Sequence, residues 1–142
     1  MSSKLHHIGI AVRDLARARE TWSLVLGAKA SPPCDVPEEG VRISFLHAGE
    51  AKIELLEPLS PESPIAKFLE KRGEGIHHVA FSVSDCKAAL GRLIAEGVPA
   101  IDKEPRFRGG NRYVAFLHPK GLNGVLAELV QYASAEAEAA GT

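Results

Sequence analysis

A chain of 142 residues, 45% hydrophobic and 25% charged, suits one ordinary soluble domain with a sizeable core. Lys and Arg number 17 against 18 Asp and Glu, a net charge of -1, so no global field draws the protein to nucleic acid or to an anionic membrane. Any anionic ligand has to be met by local charges.

Residues 5–12 alternate β-branched and other apolar side chains and read as a strand. Asp14 is then the N-cap of a helix running to about Leu26. Its Leu15, Ala18, Trp22, Val25 and Leu26 recur at spacings of three and four, and Gly27 stops it. Three further strands are expected over residues 28–34, 41–47 and 51–57, separated in part by Pro32-Pro33 and Pro37-Glu38-Glu39-Gly40. Ser63 caps a linker helix that begins at Pro64, with Ile65, Phe68 and Leu69 facing inward. From residue 76 the pattern starts again: a strand, a helix capped by Asp85 with Ala89, Leu90, Leu93 and Ile94 as its stripe, a stop at Gly97, and strands over 98–103, 112–118 and 125–132. The Ala- and Glu-rich tail has nothing to pack and is expected to fray. The predicted organisation is one domain over 1–142: a βαβββ module in 1–60, a linker helix in 61–75, a second βαβββ module in 76–132 and a frayed tail in 133–142.

The second module echoes the first. Leu5-His6-His7-Ile8-Gly9-Ile10-Ala11-Val12 returns 71 positions later as Ile76-His77-His78-Val79-Ala80-Phe81-Ser82-Val83, and Phe45-Leu46-His47 as Phe116-Leu117-His118. Ile53-Glu54-Leu55-Leu56 returns as Ala127-Glu128-Leu129-Val130 at an offset of 74, which a turn three residues longer between Pro119 and Val125 accounts for. Each half thus supplies one His and one Glu at matching places, making His7, Glu54, His78 and Glu128 four candidate ligands of a single metal on a pseudo-twofold axis.

Side chains alternate faces along a strand, so His7 shares its face with Leu5, Gly9 and Ala11, while Ile8, Ile10 and Val12 go to the core under the helix. Beyond each candidate histidine the face carries small residues, Gly9 and Ala11 in one copy and Ala80 and Ser82 in the other, which leaves space. Glu54 and Glu128 lie among apolar neighbours, where an ionised carboxylate is costly unless a cation offsets it. A lone His in an apolar strand is more often structural and a lone Glu more often a solvated edge residue; a matched His–Glu pair kept twice shifts that balance. His6 and His77 project the opposite way and receive no metal role. His47 and His118, at strand ends, are assigned structural or outer-shell roles.

Two imidazoles and two carboxylates without sulfur suit Mn²⁺, Co²⁺, Ni²⁺ or Zn²⁺, with no choice among them. Two carboxylates neutralise a divalent ion and leave about two octahedral positions open to a bidentate oxygen ligand. The chemistry this points to is stabilisation of an enolate, with a nearby carboxylate moving a proton. Cys34 and Cys86 occupy unmatched positions and form no CxxC pair, so two free thiols are expected. No apolar run approaches the ~20 residues of a membrane span, and no apolar leader follows Met1, which makes a cytoplasmic protein the expectation.

The chain resembles the vicinal oxygen chelate superfamily of paired βαβββ modules (glyoxalase, bleomycin resistance and dioxygenase proteins), and within it the methylmalonyl-CoA epimerases. The motifs that carry the resemblance are His-His-Ile-Gly-Ile-Ala-Val at 6–12, Glu-Leu-Leu-Glu-Pro-Leu at 54–59, Ser-Pro-Ile-Ala-Lys-Phe-Leu-Glu-Lys at 63–71, Gly-Gly-Asn-Arg at 109–112, Phe-Leu-His-Pro-Lys at 116–120 and Gly-Val-Leu-Ala-Glu-Leu at 124–129. It implies an α+β fold with one eight-stranded, barrel-like mixed sheet around a central metal site and helices outside. It also implies one divalent metal, an acyl-CoA substrate and a homodimer. By the same resemblance His7, His78 and Glu128 are metal ligands, Glu54 takes the fourth position, and Glu128 moves the C2 proton on one face of the substrate. Some bacterial relatives carry a second glutamate where this chain has Ile43, so the second base is left between Glu54 and a water relay. Arg112 and Lys120 are candidate contacts for the substrate carboxylate or the CoA phosphates, and equally ordinary surface cations. The alternatives are a glyoxalase I type lyase acting on a glutathione hemithioacetal, or a resistance protein of this fold that sequesters a small molecule.

Overall fold

The computed structural model describes residues 3–140. Strand β1 (Lys4–Ala11) leads into helix α1 (Leu15–Leu26), followed by β2 (Cys34–Val36), β3 (Val41–Ala48), β4 (Ala51–Pro58) and helix α2 (Pro64–Arg72). The order then repeats as β5 (Gly75–Ser82), α3 (Cys86–Ala95), β6 (Arg106–Arg108), β7 (Arg112–Leu117) and β8 (Ala127–Tyr132), and α4 (Ala135–Ala140) follows. This is an α+β fold in which eight strands form one mixed sheet in the order β2-β3-β4-β1-β5-β8-β7-β6. The chain divides into two compact units, one from His7 to His77 and one combining the chain up to His6 with the chain from His78 onward. Among the described residues no helix is long and apolar enough to cross a membrane.

In the His7–His77 unit, β1 pairs parallel with β4 and β3 pairs antiparallel with both β4 and β2. Asp14 caps α1 by accepting from the Arg17 amide, and Gly27 ends it in the left-handed region at φ 61°. The helix lays Leu15, Ala18, Trp22 and Leu26 on Ile10, Leu46, Ile53 and Leu55. Val25, expected in this stripe, is 66% exposed; it lies about 80° around the axis from Leu15, past the edge of the buried face. The opposite face of the sheet is covered too, because α2 sets Ile65, Phe68 and Leu69 against Ala11, Val41 and Leu56. Leu46 and Leu55 are fully buried, each contributing roughly 1.5–3 kcal/mol relative to exposure.

The other unit repeats the scheme. Here β5 runs parallel to β8, while β7 pairs antiparallel with β8 and β6. Asp85 caps α3 through the Ala88 amide, and the helix packs Cys86, Ala89, Leu90 and Leu93 on Ala115, Leu117, Ala127 and Leu129. Ile94, expected in the stripe, is 41% exposed, and Cys86, left out of it, is fully buried. The far side of the sheet gathers Ala80, Val114, Val130 and Tyr132.

Two strands lie elsewhere than the sequence suggests. The segments 28–33 and 98–105 are not strands, and the pairing that follows each helix is confined to 34–36 and 106–108, apart from an isolated bridge at Ala100. In both copies a side chain takes over the ladder: Ser31 Oγ accepts the Phe45 amide at 2.8 Å and Asp102 Oδ2 accepts the Phe116 amide at 2.8 Å. Pro32 and Pro33 also lack the amides a strand would need. The tail differs as well, because Ser134 Oγ accepts from the Ala137 amide and starts α4 where fraying was expected.

Candidate functional site

β1 carries His7 directly across from Lys52 of β4, and Gly9 directly across from Glu54. Gly9 has no side chain to fill the space opposite Glu54, so the carboxylate leans along the diagonal toward the imidazole. His7 Nε2 and Glu54 Oε1 stand 3.5 Å apart, with side chains 8% and 13% exposed. In the other unit Ala80 of β5 lies across from Glu128 of β8, and His78 Nε2 stands 3.6 Å from Glu128 Oε1, with side chains 7% and 10% exposed. Parallel pairing at one register therefore builds the same His–Glu couple twice, as the offsets of 71 and 74 require.

The separations discriminate between interactions. A charge-assisted hydrogen bond closes to ~2.7–2.9 Å, whereas two ligands of one ion with bonds near ~2.1 Å stand ~3.4 Å apart at the tetrahedral angle. Both couples are wider than the first and close to the second. Neutral nitrogen and anionic oxygen donors, buried together and free of sulfur, fit a borderline divalent cation. The burial itself favours a cation, since two carboxylates removed from water need compensating charge.

An aromatic ring backs each carboxylate. Phe45 is the β3 partner of Glu54 and Phe116 the β7 partner of Glu128. The His78 ring meets Phe116 edge-on at 6.2 Å and Lys52 Nζ lies 5.9 Å from the Phe45 ring centre. Lys52 is 9% exposed, on the same face of β4 as Glu54; it is no sequence candidate, although the period of two that selects Glu54 also selects residue 52. Two further contacts lock the strands against their helices. Glu57 Oε2 accepts from the Leu15 amide and Gln131 Oε1 from the Cys86 amide, both at 2.7 Å. These residues are themselves 74 apart, so the repeat held the signal.

The other histidines have separate work. His6 Nε2 is 2.9 Å from Tyr132 Oη, His77 meets Phe68 edge-on at 5.0 Å, and His118 Nδ1 accepts from the Lys120 amide at 3.1 Å. His47 is exposed. Arg112 opens β7 across from Tyr132 and donates to the Gly109 carbonyl at 2.9 Å. Because Phe116 pairs with Glu128 and Val114 with Val130, Arg112 lies on the Glu128 face of that sheet. Lys120 sits exposed in the short 3-10 helix Pro119–Gly121. Cys34 is exposed and Cys86 buried, and both are free thiols.

The profile of the Glyoxalase/Bleomycin resistance protein/Dioxygenase superfamily matches residues 6–116. The chain belongs to this superfamily. It is 44% identical over 133 residues to the ethylmalonyl-CoA/methylmalonyl-CoA epimerase of Cereibacter sphaeroides, covering 92% of this chain and 99% of that one. Its fold superposes on the crystal structure of methylmalonyl-CoA epimerase from Mycobacterium tuberculosis with a TM-score of 0.85, at 39% identity, covering 95% of this chain and 91% of the other. A methylmalonyl-CoA epimerase solved in complex with methylmalonyl-CoA and NH4+ gives a TM-score of 0.85 at 35% identity, covering 94% and 97%.

Proposed function

We propose that this protein is a divalent-metal-dependent methylmalonyl-CoA epimerase, interconverting the (R) and (S) forms by moving the C2 proton, with His7, Glu54, His78 and Glu128 holding one ion. The observation that carries this reading is the His–Glu couple, at most 13% exposed, built twice at the same register, in a chain similar along nearly its whole length to proteins named as epimerases. Cobalt, manganese, nickel and zinc all suit the donor set. When bound, such an ion supplies the Lewis acidity that makes the C2 proton of a malonyl thioester removable.

The chain's own residues supply the proton movements. Epimerisation needs removal on one face of C2 and delivery on the other, because a single base returns the proton to the side it came from. Glu128 takes the proton on one face, and Glu54 serves the other. Ile43, across from Leu56 on the Glu54 face of the sheet, is apolar and moves no proton, so Glu54 is the carboxylate that β3 and β4 present on that face. Each carboxylate has two oxygens, so a ligand role and a proton-transfer role are compatible on one side chain. The flanking Phe45 and Phe116 keep the carboxylates in an apolar setting that strengthens their electrostatic action.

Proton exchange at C2 of methylmalonyl-CoA, followed in D2O with and without chelator, tests the proposal. Deuterium wash-in that stops on chelation and returns with metal supports it. Turnover confined to a glutathione hemithioacetal would assign the site to a glyoxalase I type lyase instead.

A further inference from the structure

The two modules are near copies, so a place where they differ in charge marks something that only one of them does. The hairpin at the sheet edge is such a place. In the first module Cys34 pairs with Ile43 and Val36 with Val41; in the second Arg106 pairs with Val114 and Arg108 with Arg112. Ile43 and Val114 are 71 apart, so Arg106, Arg108 and Arg112 replace Cys34, Val36 and Val41. Directly paired residues share a face, and Val114 packs with Ala80 and Val130. The three arginines therefore stand on the face that carries Glu128.

The physical setting of that corner differs between the units as well. In the first, Val36 and Val41 are roofed by Ile65, Phe68 and Leu69 of α2. In the second, the helix after the last strand is α4, six residues of Ala and Glu without a large apolar side chain. Segment 102–112 carries four cations, Lys103, Arg106, Arg108 and Arg112, against Asp102 and Glu104, whereas its counterpart 31–41 has three carboxylates and no cation. Asp102 pins Arg106, with Nε at 3.1 Å from Oδ1, and holds its guanidinium 5.9 Å from the Phe116 ring centre, beside the partner of Glu128.

We propose that Arg106, Arg108 and Arg112 form the docking stripe for the phosphates of the substrate's CoA portion, an assignment that rests on the acyl-CoA reading above. A thioester with its acyl group at Glu128 carries its phosphates on a long pantetheine arm, and guanidinium forks at the sheet edge match phosphate oxygens in geometry and charge. The duplication explains why only one module has the stripe: a single substrate has a single nucleotide end.

The test compares Arg108→Gln and the double variant Arg106→Gln/Arg108→Gln with the unaltered enzyme, on methylmalonyl-CoA and on methylmalonyl-pantetheine, which lacks the nucleotide. Each lost guanidinium is expected to raise KM for the CoA ester roughly threefold to tenfold, leaving its kcat and the pantetheine ester's kinetics in place. The CoA preference of the unaltered enzyme should shrink as salt is added. Unchanged KM for the CoA ester, or an equal rise for both esters, would overturn the assignment. Binding of free CoA by calorimetry needs no turnover and separates this inference from the epimerase reading: an inactive protein whose CoA affinity still falls in the variants supports the stripe, and unaltered affinity refutes it.

Discussion

Glu128→Gln isolates proton transfer from packing. The side chain is 10% exposed and lies between Ala80 and Phe116 on the neighbouring strands. The amide has the same shape, so it leaves no cavity and forces no neighbour to move. It still offers an oxygen to a cation but cannot accept a proton at neutral pH. A positioned general base accounts for about 10²–10⁴-fold in rate, equivalent to about 2.7–5.5 kcal/mol of barrier, and that is the expected loss in C2 exchange. Exchange is to be followed by NMR in D2O from each stereoisomer, with metal per chain measured by mass spectrometry on the same samples. The reasoning fails if exchange stays within tenfold of the unaltered enzyme at full metal content. It fails differently if rate and metal fall in proportion, which would leave Glu128 a ligand with no base role.

His78→Ala should empty the metal site while the protein stays folded by circular dichroism, and full metal content would remove His78 from the ligand set. Glu57→Ala and Gln131→Ala each delete the acceptor at a helix start and should cost about 0.5–2 kcal/mol in denaturant midpoints; no change would show that water replaces the bond. Exposed Cys34 should react with a thiol reagent at once and buried Cys86 only on unfolding. Burial, with help from Asp85 and Glu128, pushes the Cys86 thiol up to about 11 from 9.0. The native state thus holds this proton more tightly than the unfolded chain. Its contribution to stability is complete below pH 9 and is lost as pH climbs toward 11. A Cys86→Ala variant should show a flatter alkaline limb, and an unchanged limb would reject the assignment.

The repeat was legible because the offsets of 71 and 74 survive in the sequence, and a period of two then places His7 and Glu54, or His78 and Glu128, on one strand face. Both couples follow from pattern and register alone. The segments after α1 and α3 do not form the expected strands because the Phe45 and Phe116 amides are met by the Ser31 and Asp102 side chains, which no hydrophobic pattern encodes. Glu57 and Gln131 look like ordinary polar strand residues until the helix amides they cap are seen. Lys52 has Leu126 as its counterpart 74 positions on, so the repeat carries no signal for it. The arginine stripe needs the observed pairing of β6 with β7, since the strand expected after α3 ends at residue 103.

The proposed epimerisation requires one cation per chain, held by all four side chains. A crystal grown with manganese or cobalt, with anomalous scattering recorded at the metal edge, addresses this directly. The expected map has one peak per chain, bonded at about 2.0–2.2 Å to His7, Glu54, His78 and Glu128. Two separate peaks, or a single peak bound by one His–Glu couple alone, would contradict it.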